Sequence, residues 1–123
     1  MPSRLRVLIA DDEPPIRLLC RVNLEAEGMT VTEAVDGEDA LAAIAAELPD
    51  VAVLDVMMPR LDGWEVARRL RAASETANLP LVFLTAVSAE EAKPHLATLH
   101  AVYIAKPFNP VELPAAIGRA LIA

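Results

Sequence analysis

The strongest constraint on the fold is an alternation between short apolar runs and longer stretches with helical periodicity. Five runs have the length of strands, and they are Leu5–Ala10, Thr30–Ala34, Val51–Leu54, Leu81–Thr85 and Val102–Ala105. Three of them are almost continuous in Val, Leu, Ile and Phe, which is typical of parallel strands covered on both faces. Because helical stretches separate the runs, the pattern predicts an α/β fold of five βα units around a parallel sheet.

The stretches between the runs carry the start and stop signals of helices. Pro15–Glu27 has an apolar stripe at helical spacing, and Gly28 is expected to end this helix in the left-handed conformation. The other four helices are expected to begin at Asp36-Gly37, Asp62, Ser88 and Asn109-Pro110. Asp62 and Ser88 are each followed by a glutamate three residues later, which is the pattern of a capping box.

The length of the chain fits one domain over residues 1–123. With 123 residues, 54% of them hydrophobic, the chain can bury a sizeable core without disulfides or a structural metal. Cys20 is the single cysteine and cannot form an internal disulfide, which indicates a reducing, cytoplasmic setting. No apolar run approaches the ~18 residues of a membrane span, and we expect neither a membrane anchor nor a signal peptide.

Acidic residues outnumber basic ones. The chain contains 18 Asp and Glu against 11 Lys and Arg, which gives a formal net charge of −7. Nucleic-acid phosphates are bound by clustered Lys and Arg. The composition therefore argues against direct binding of nucleic acid by this chain.

Chemically active side chains follow the strands at the points where the strands end. Asp11 and Asp12 follow the first strand, Asp55 follows the third, Thr85 ends the fourth, and Lys106 follows the fifth. In open parallel sheets, ligands bind outside the carboxyl ends of the strands. We therefore expect three carboxylates, a hydroxyl and an ammonium group to meet at one edge of the sheet.

This combination of groups is suited to phosphoryl chemistry. Neighbouring carboxylates raise one another's pKa unless a cation lies between them. Mg²⁺ is bound through one or two carboxylates together with phosphate oxygens, and a carboxylate can attack phosphorus to give an acyl phosphate. Thr85 and Lys106 would then hold phosphoryl oxygens by a hydrogen bond and by charge.

Four short motifs along the whole chain carry a resemblance to a known family. They are LIADDE after the first strand, LDVMMPRLDG at the third, LTA at the fourth and YIAKPF at the fifth. With these motifs the chain resembles a response regulator receiver domain of two-component signalling. The resemblance implies a doubly wound, flavodoxin-like and CheY-like sheet with strand order 2-1-3-4-5.

The resemblance also implies roles for individual residues. Asp55 would be the phosphoryl acceptor. Asp11 and Asp12 would bind Mg²⁺ together with Asp55 and the backbone carbonyl of Met57. Thr85 would then bond the phosphoryl group.

The resemblance implies three further features in the fifth strand and directly after it. Lys106 would pair with the phosphoryl group, and the Lys106-Pro107 peptide bond would be cis. Tyr103 matches the switch aromatic that turns inward when Thr85 moves.

The implied function is a phosphorylation-activated switch. Because the sequence has no Gly-rich loop for ATP, the phosphoryl group would come from a sensor histidine kinase or a histidine phosphotransfer protein. The output would lie in another protein or in a part of the chain outside this sequence. Beyond promoting its own phosphorylation and dephosphorylation, the chain is not expected to be an enzyme.

Two alternatives remain open at this point. One is a Mg²⁺-dependent phosphatase or phosphotransferase that forms an aspartyl phosphate. Such hydrolases typically have a second acid two residues beyond the nucleophile, and here that position is Met57. The other is a receiver-like interaction module that is not regulated by phosphorylation, for which loss of a key residue would be expected.

The chain departs from the family pattern around the fourth and fifth helices. The stretch Leu99-His100-Ala101-Val102 looks about one residue short, and Pro94 and Pro114 are expected to kink or shorten their helices. We therefore expect a remodelled output face that does not form the usual symmetric dimer. Since Met57 and Val87 flank the pocket and cannot orient water, we expect an acyl phosphate that is not unusually short-lived.

The remaining distinctive side chains are expected to be structural. Trp64 and Cys20 are predicted to pack in the core. His95 and His100 are predicted to lie on the surface, and Arg68-Arg69-Arg71 is predicted to be the solvated face of the third helix.

Overall fold

The computed structural model describes residues 4–122, in which five strands and five helices alternate. The strands are β1 (Arg6–Ala10), β2 (Thr30–Ala34), β3 (Val51–Leu54), β4 (Leu81–Thr85) and β5 (Val102–Ala105). The helices are α1 (Pro14–Ala26), α2 (Gly37–Ala46), α3 (Gly63–Ala72), α4 (Ala89–Leu99) and α5 (Glu112–Ile122). The strands form one parallel sheet in the order β2-β1-β3-β4-β5, which confirms the expected fold.

The sheet is covered on both faces. Every residue of β3 and β4 is buried, as their continuous apolar sequences predict. Side chains of α2, α3 and α4 pack in one core layer, and side chains of α1 and α5 pack in the other. Cys20 is buried in the second layer, and Trp64 is buried in the first, as predicted.

Most of the predicted helix ends are confirmed. The side chains of Asp36, Asp62 and Ser88 each accept a hydrogen bond from the backbone N–H three residues later. Gly28 has a φ of 85°, and the N–H of Met29 donates to the carbonyl of Leu24 at 3.1 Å, which closes α1.

The start of α5 differs from the prediction. Asn109 and Pro110 lie in a turn before the helix, which begins at Glu112. The Glu112 carboxylate accepts the N–H of Asn109 at 2.7 Å, and the Glu112 N–H donates to the carbonyl of Asn109 at 2.8 Å. These reciprocal bonds stabilise the turn, so the helix begins two residues beyond the proline.

Pro94 and Pro114 both lie within their helices, and the predicted kinks stay predictions. Pro94 does not shorten α4, which continues to Leu99. Pro114 is the third residue of α5, where a backbone N–H would have no partner within the helix. The short connection after α4 is made by His100 in the left-handed conformation, with a φ of 54°.

Membrane-spanning helices are absent from residues 4–122, since none of the five helices is long and apolar enough to cross a bilayer.

Candidate functional site

The carboxyl ends of four strands bring the predicted residues to one edge of the sheet. Asp11 follows β1, Asp55 follows β3, Thr85 ends β4, and Lys106 follows β5. Asp11, Asp55 and Thr85 are almost completely buried, with 1%, 4% and 0% of their surface exposed. The predicted residues therefore converge, although they span almost a hundred residues of sequence.

Lys106 is the centre of this cluster. Its ammonium nitrogen donates to Oδ2 of Asp11 at 2.8 Å, to Oε2 of Glu13 at 3.0 Å, and to Oδ2 of Asp55 at 3.2 Å. An ammonium group has three N–H donors, so all three have a carboxylate partner. Lys106 thus joins the ends of β1, β3 and β5.

Burial and neighbouring charges shift the pKa values of Asp11 and Lys106. Burial raises the pKa of the Asp11 carboxyl above its ordinary value, and the charge of Asp55 adds to this effect, whereas the hydrogen bond from Lys106 opposes it. Burial alone would lower the pKa of Lys106. The hydrogen bonds to Asp11 and Glu13 and the nearby charge of Asp55 outweigh burial and raise that pKa.

The cluster also has the composition of a cation site. Carboxylate oxygens of Asp11, Asp12, Glu13 and Asp55 lie within 4.8 Å of one another. Asp12, Glu13 and Asp55 line an open pocket of about 210 Å³ together with Met57, Ala86 and Lys106. Hard oxygen donors beside an open pocket fit Mg²⁺, which keeps several water ligands when it binds to proteins.

Glu13 is a member of this cluster that the sequence interpretation missed. It directly follows the acid pair and lines the pocket with Asp12 and Asp55. Its position in the LIADDE motif was the available signal. The long reach of its side chain to Lys106 depends on the tertiary structure and could not be deduced from spacing.

Met57 lies at the pocket, as the prediction requires. Its backbone N–H donates to Oδ1 of Asp55 at 3.2 Å, and the residue lines the pocket. The role of its carbonyl as a metal ligand stays a prediction.

Thr85 and Tyr103 are connected through Val87. The backbone N–H of Val87 donates to the hydroxyl of Thr85 at 3.3 Å, and the hydroxyl of Tyr103 donates to the carbonyl of Val87. Val87 lies in the loop between β4 and α4. Val87 therefore links the hydroxyls of Thr85 and Tyr103 by hydrogen bonds to its own backbone.

Backbone geometry completes the site. The Lys106-Pro107 peptide bond is cis, as expected. Gly63 begins α3 directly against the chain after β3, and its N–H donates to the carbonyl of Val56 at 2.9 Å. A β-carbon at Gly63 would lie 2.3 Å from the carbonyl oxygen of Asp55, so only glycine fits there without a shift of the backbone.

Two predictions about surface residues are wrong. Arg71 is half-buried, and its guanidinium donates to the carbonyls of Leu99 and Leu79, each at 2.8 Å. His95 is half-buried and stacks on the indole of Trp64, with ring centroids 4.1 Å apart. Each of these side chains makes a contact between α3 and α4. Such contacts depend on how the two helices pack and are not revealed by the spacing of residues in the sequence.

Fold and site together define a class of protein, the doubly wound α/β domains that carry a carboxylate cluster and a lysine at the carboxyl edge of the sheet. Comparison with known proteins identifies the family within this class. The family model described as response regulator receiver domain matches residues 7–118, and the chain belongs to this family. It is therefore a receiver domain of the two-component type, and the relatives are response regulators and not conventional enzymes.

The relatives share sequence along most of the chain. The chain is 39% identical to the phosphate regulon transcriptional regulatory protein PhoB of Rhizobium meliloti, over 94% of this chain and 52% of that protein. It is 44% identical to the response regulator MprA of Mycobacterium ulcerans, over 96% of this chain and 50% of that protein. The chain thus spans about half the length of these curated relatives.

A solved structure gives the same result for the fold. The chemotaxis response regulator CheY4 of Vibrio cholerae superimposes with a TM-score of 0.90 at 32% identity, and the match covers 97% of this chain and 100% of that chain.

The predicted absence of nucleic-acid binding is not supported by these relatives. PhoB of Rhizobium meliloti is named as a transcriptional regulatory protein and is about twice as long as the matched segment. The acidic charge of the present chain describes only this chain. It therefore carries no conclusion about contacts with nucleic acid made by a longer protein.

Proposed function

We propose that the chain is a phosphorylation-activated switch in which Asp55 is the phosphoryl acceptor. The observation that carries this proposal is the contact of the Lys106 ammonium with the buried Asp55 and Asp11 carboxylates at the edge of the sheet. A buried acid beside a fixed cation, open to a pocket, is suited to attack a phosphoryl group and to retain it.

The proposed reaction is a transfer from phosphohistidine to Asp55. A carboxylate oxygen of Asp55 attacks phosphorus, the new P–O bond forms, and the P–N bond of the donor breaks. The electron pair of that bond stays on the imidazole, which takes up a proton. Lys106 then pairs with a phosphoryl oxygen, and the hydroxyl of Thr85 donates to another.

We assign the cation site to Asp11, Asp12, Asp55 and the carbonyl of Met57. When bound there, Mg²⁺ would neutralise negative charge on the phosphoryl oxygens. The buried Asp11 carboxylate also contacts the Lys106 ammonium and holds it in place. The fit of these oxygen donors to Mg²⁺ supports the assignment.

Phosphorylation would be transmitted to the surface formed by α4, β5 and α5. A phosphoryl group adds almost two negative charges, and Thr85 would turn toward it. Because Thr85, Val87 and Tyr103 are joined by hydrogen bonds, this turn would release Val87 and free Tyr103 to rotate. We infer that a partner protein or domain binds this altered surface.

The proposed donor is a sensor histidine kinase or a histidine phosphotransfer protein, in keeping with the family. The output partner stays unidentified, and a cytoplasmic location stays a prediction from the single cysteine.

The proposal is tested by incubating the chain with Mg²⁺ and acetyl phosphate and measuring the mass of the intact protein. We expect one phosphoryl adduct on the parent and none on Asp55→Asn. Asp62→Asn is the matched control, because this exposed residue caps α3 and asparagine caps helices equally well. An equal adduct on Asp55→Asn, or none on the parent, would contradict the proposal.

A further inference from the structure

The three N–H groups of Lys106 are matched by three carboxylates. The acceptors are Asp11, Glu13 and Asp55, at 2.8, 3.0 and 3.2 Å. An ammonium group has three donors and no further capacity. The N–H that Asp55 accepts can pass to its own phosphoryl group, but a second N–H from Lys106 reaches a phosphoryl oxygen only if Asp11 or Glu13 gives one up.

The three carboxylates differ in how easily they can lose their lysine. The side chain of Asp11 is 2% exposed, so removal of the cation would leave a buried charge uncompensated. Asp55 itself loses its carboxylate charge when it becomes an acyl phosphate, so its N–H from Lys106 can pass directly to a phosphoryl oxygen. The side chain of Glu13 is 58% exposed, so water can solvate its carboxylate once the contact breaks. Of the two carboxylates that keep their charge after phosphorylation, Glu13 is thus the partner that Lys106 releases more easily.

The position of Glu13 supports a role at the pocket rather than in the helix. It occupies the N-cap position of α1, yet its side chain makes no capping hydrogen bond. The carboxylate instead contacts Lys106 and lines the pocket that an anionic donor must enter. Replacement of this side chain should therefore leave the start of α1 intact.

We propose that Glu13 is a positioning residue that competes with the phosphoryl group for Lys106 and so restrains phosphorylation of Asp55. This inference rests on the proposed function, since it assumes that Asp55 accepts the phosphoryl group. An exposed ion pair of this kind corresponds to a change of about twofold to fivefold in an equilibrium constant. Removal of the Glu13 charge should tighten the binding of a phosphoryl mimic by this factor.

The test is the affinity of the full chain for beryllofluoride in saturating Mg²⁺, measured by isothermal titration calorimetry. We expect Glu13→Gln to bind about twofold to fivefold more tightly than the parent. Glu27→Gln is the matched control, because it changes the charge equally at the other end of α1, about 20 Å away. Its affinity should equal that of the parent.

A third variant separates contact from charge. Glu13→Asp keeps the negative charge at the pocket but shortens the side chain, so its contact with Lys106 should weaken. We expect it to bind more tightly than the parent as well. Parent-like affinity of Glu13→Asp beside a tighter Glu13→Gln would show an effect of charge alone and would overturn the proposed competition.

Failure of this inference is distinguishable from failure of the proposed function. If the parent binds beryllofluoride and Glu13→Gln binds it equally or more weakly, competition for Lys106 is refuted while the function stands. The same holds if Glu27→Gln tightens binding as much as Glu13→Gln does. If the parent does not bind beryllofluoride at all, both the proposed function and this inference are refuted.

Discussion

Replacing Gly63 with alanine should damage the fold and the candidate site together. The added methyl group would lie 2.3 Å from the carbonyl oxygen of Asp55 and 2.9 Å from the α-carbon of Val56. Both neighbours are backbone atoms and cannot rotate away, so either α3 or the end of β3 must move. That movement would also strain the hydrogen bond from the Gly63 N–H to the carbonyl of Val56.

The size of the effect follows from these contacts. Overpacking costs about 1–3 kcal/mol, and weakening of one hydrogen bond costs about 1 kcal/mol. The higher helix propensity of alanine offsets at most ~1 kcal/mol. We therefore expect Gly63→Ala to lower the free energy of unfolding by about 2 kcal/mol, as measured by urea denaturation followed by circular dichroism.

Gly118 offers a matched control for the same chemical change. It lies inside α5 and is exposed, and a β-carbon there would meet nothing within 4 Å. Gly118→Ala should therefore raise the free energy of unfolding by about 0.5–1 kcal/mol. Stability of Gly63→Ala equal to or above that of the parent would refute the close packing of α3 against the end of β3.

Four further predictions concern other parts of the molecule. Arg71→Ala should lower the free energy of unfolding by about 2–3 kcal/mol, because it leaves the carbonyls of Leu79 and Leu99 without a charged donor. Arg68→Ala removes only an exposed ion pair and should change the free energy of unfolding by less than about 1 kcal/mol. Equal denaturation midpoints for the two variants would contradict this difference. Burial raises the pKa of the Cys20 thiol to about 12. Labelling of this thiol by iodoacetamide should therefore stay negligible in the folded chain between about pH 7 and 9, and labelling at the rate of the unfolded chain would refute this. Sedimentation with and without beryllofluoride should show no symmetric dimer through α4, β5 and α5, and a phosphorylation-dependent dimer through that face would contradict a remodelled surface. Because Met57 and Val87 are apolar and cannot orient an attacking water, the acyl phosphate should persist for longer than seconds. The lifetime is measured by following the loss of the phosphoryl adduct in the mass spectrum over time, and decay within seconds would contradict this prediction.

Local signals in the sequence predicted the sheet and most helix ends. The buried runs of β3 and β4 have no polar face, so only a doubly covered sheet accommodates them. Asp62 and Ser88 act within three residues of their partners, so their capping bonds follow directly from spacing. The convergence of the strand-end residues followed from the parallel arrangement of the strands.

Interactions between distant side chains were not predictable in this way. Arg71 has the composition of a solvated helix face, yet its main partners include the carbonyl of Leu99, 28 residues away. The stacking of His95 on Trp64 likewise depends on how α3 and α4 pack. Glu13 was overlooked for the same reason, since its contact with Lys106 joins residues 93 positions apart.

The most direct test of the central claim is to identify the residue that carries the phosphoryl group. Borohydride reduces an acyl phosphate to an alcohol, so a phosphorylated aspartate becomes homoserine, which peptide mass spectrometry locates. After treatment with Mg²⁺ and acetyl phosphate, we predict homoserine at position 55 and unchanged aspartate at positions 11 and 12. Homoserine at position 11 or 12, or at no position, would contradict the assignment of Asp55 as the phosphoryl acceptor.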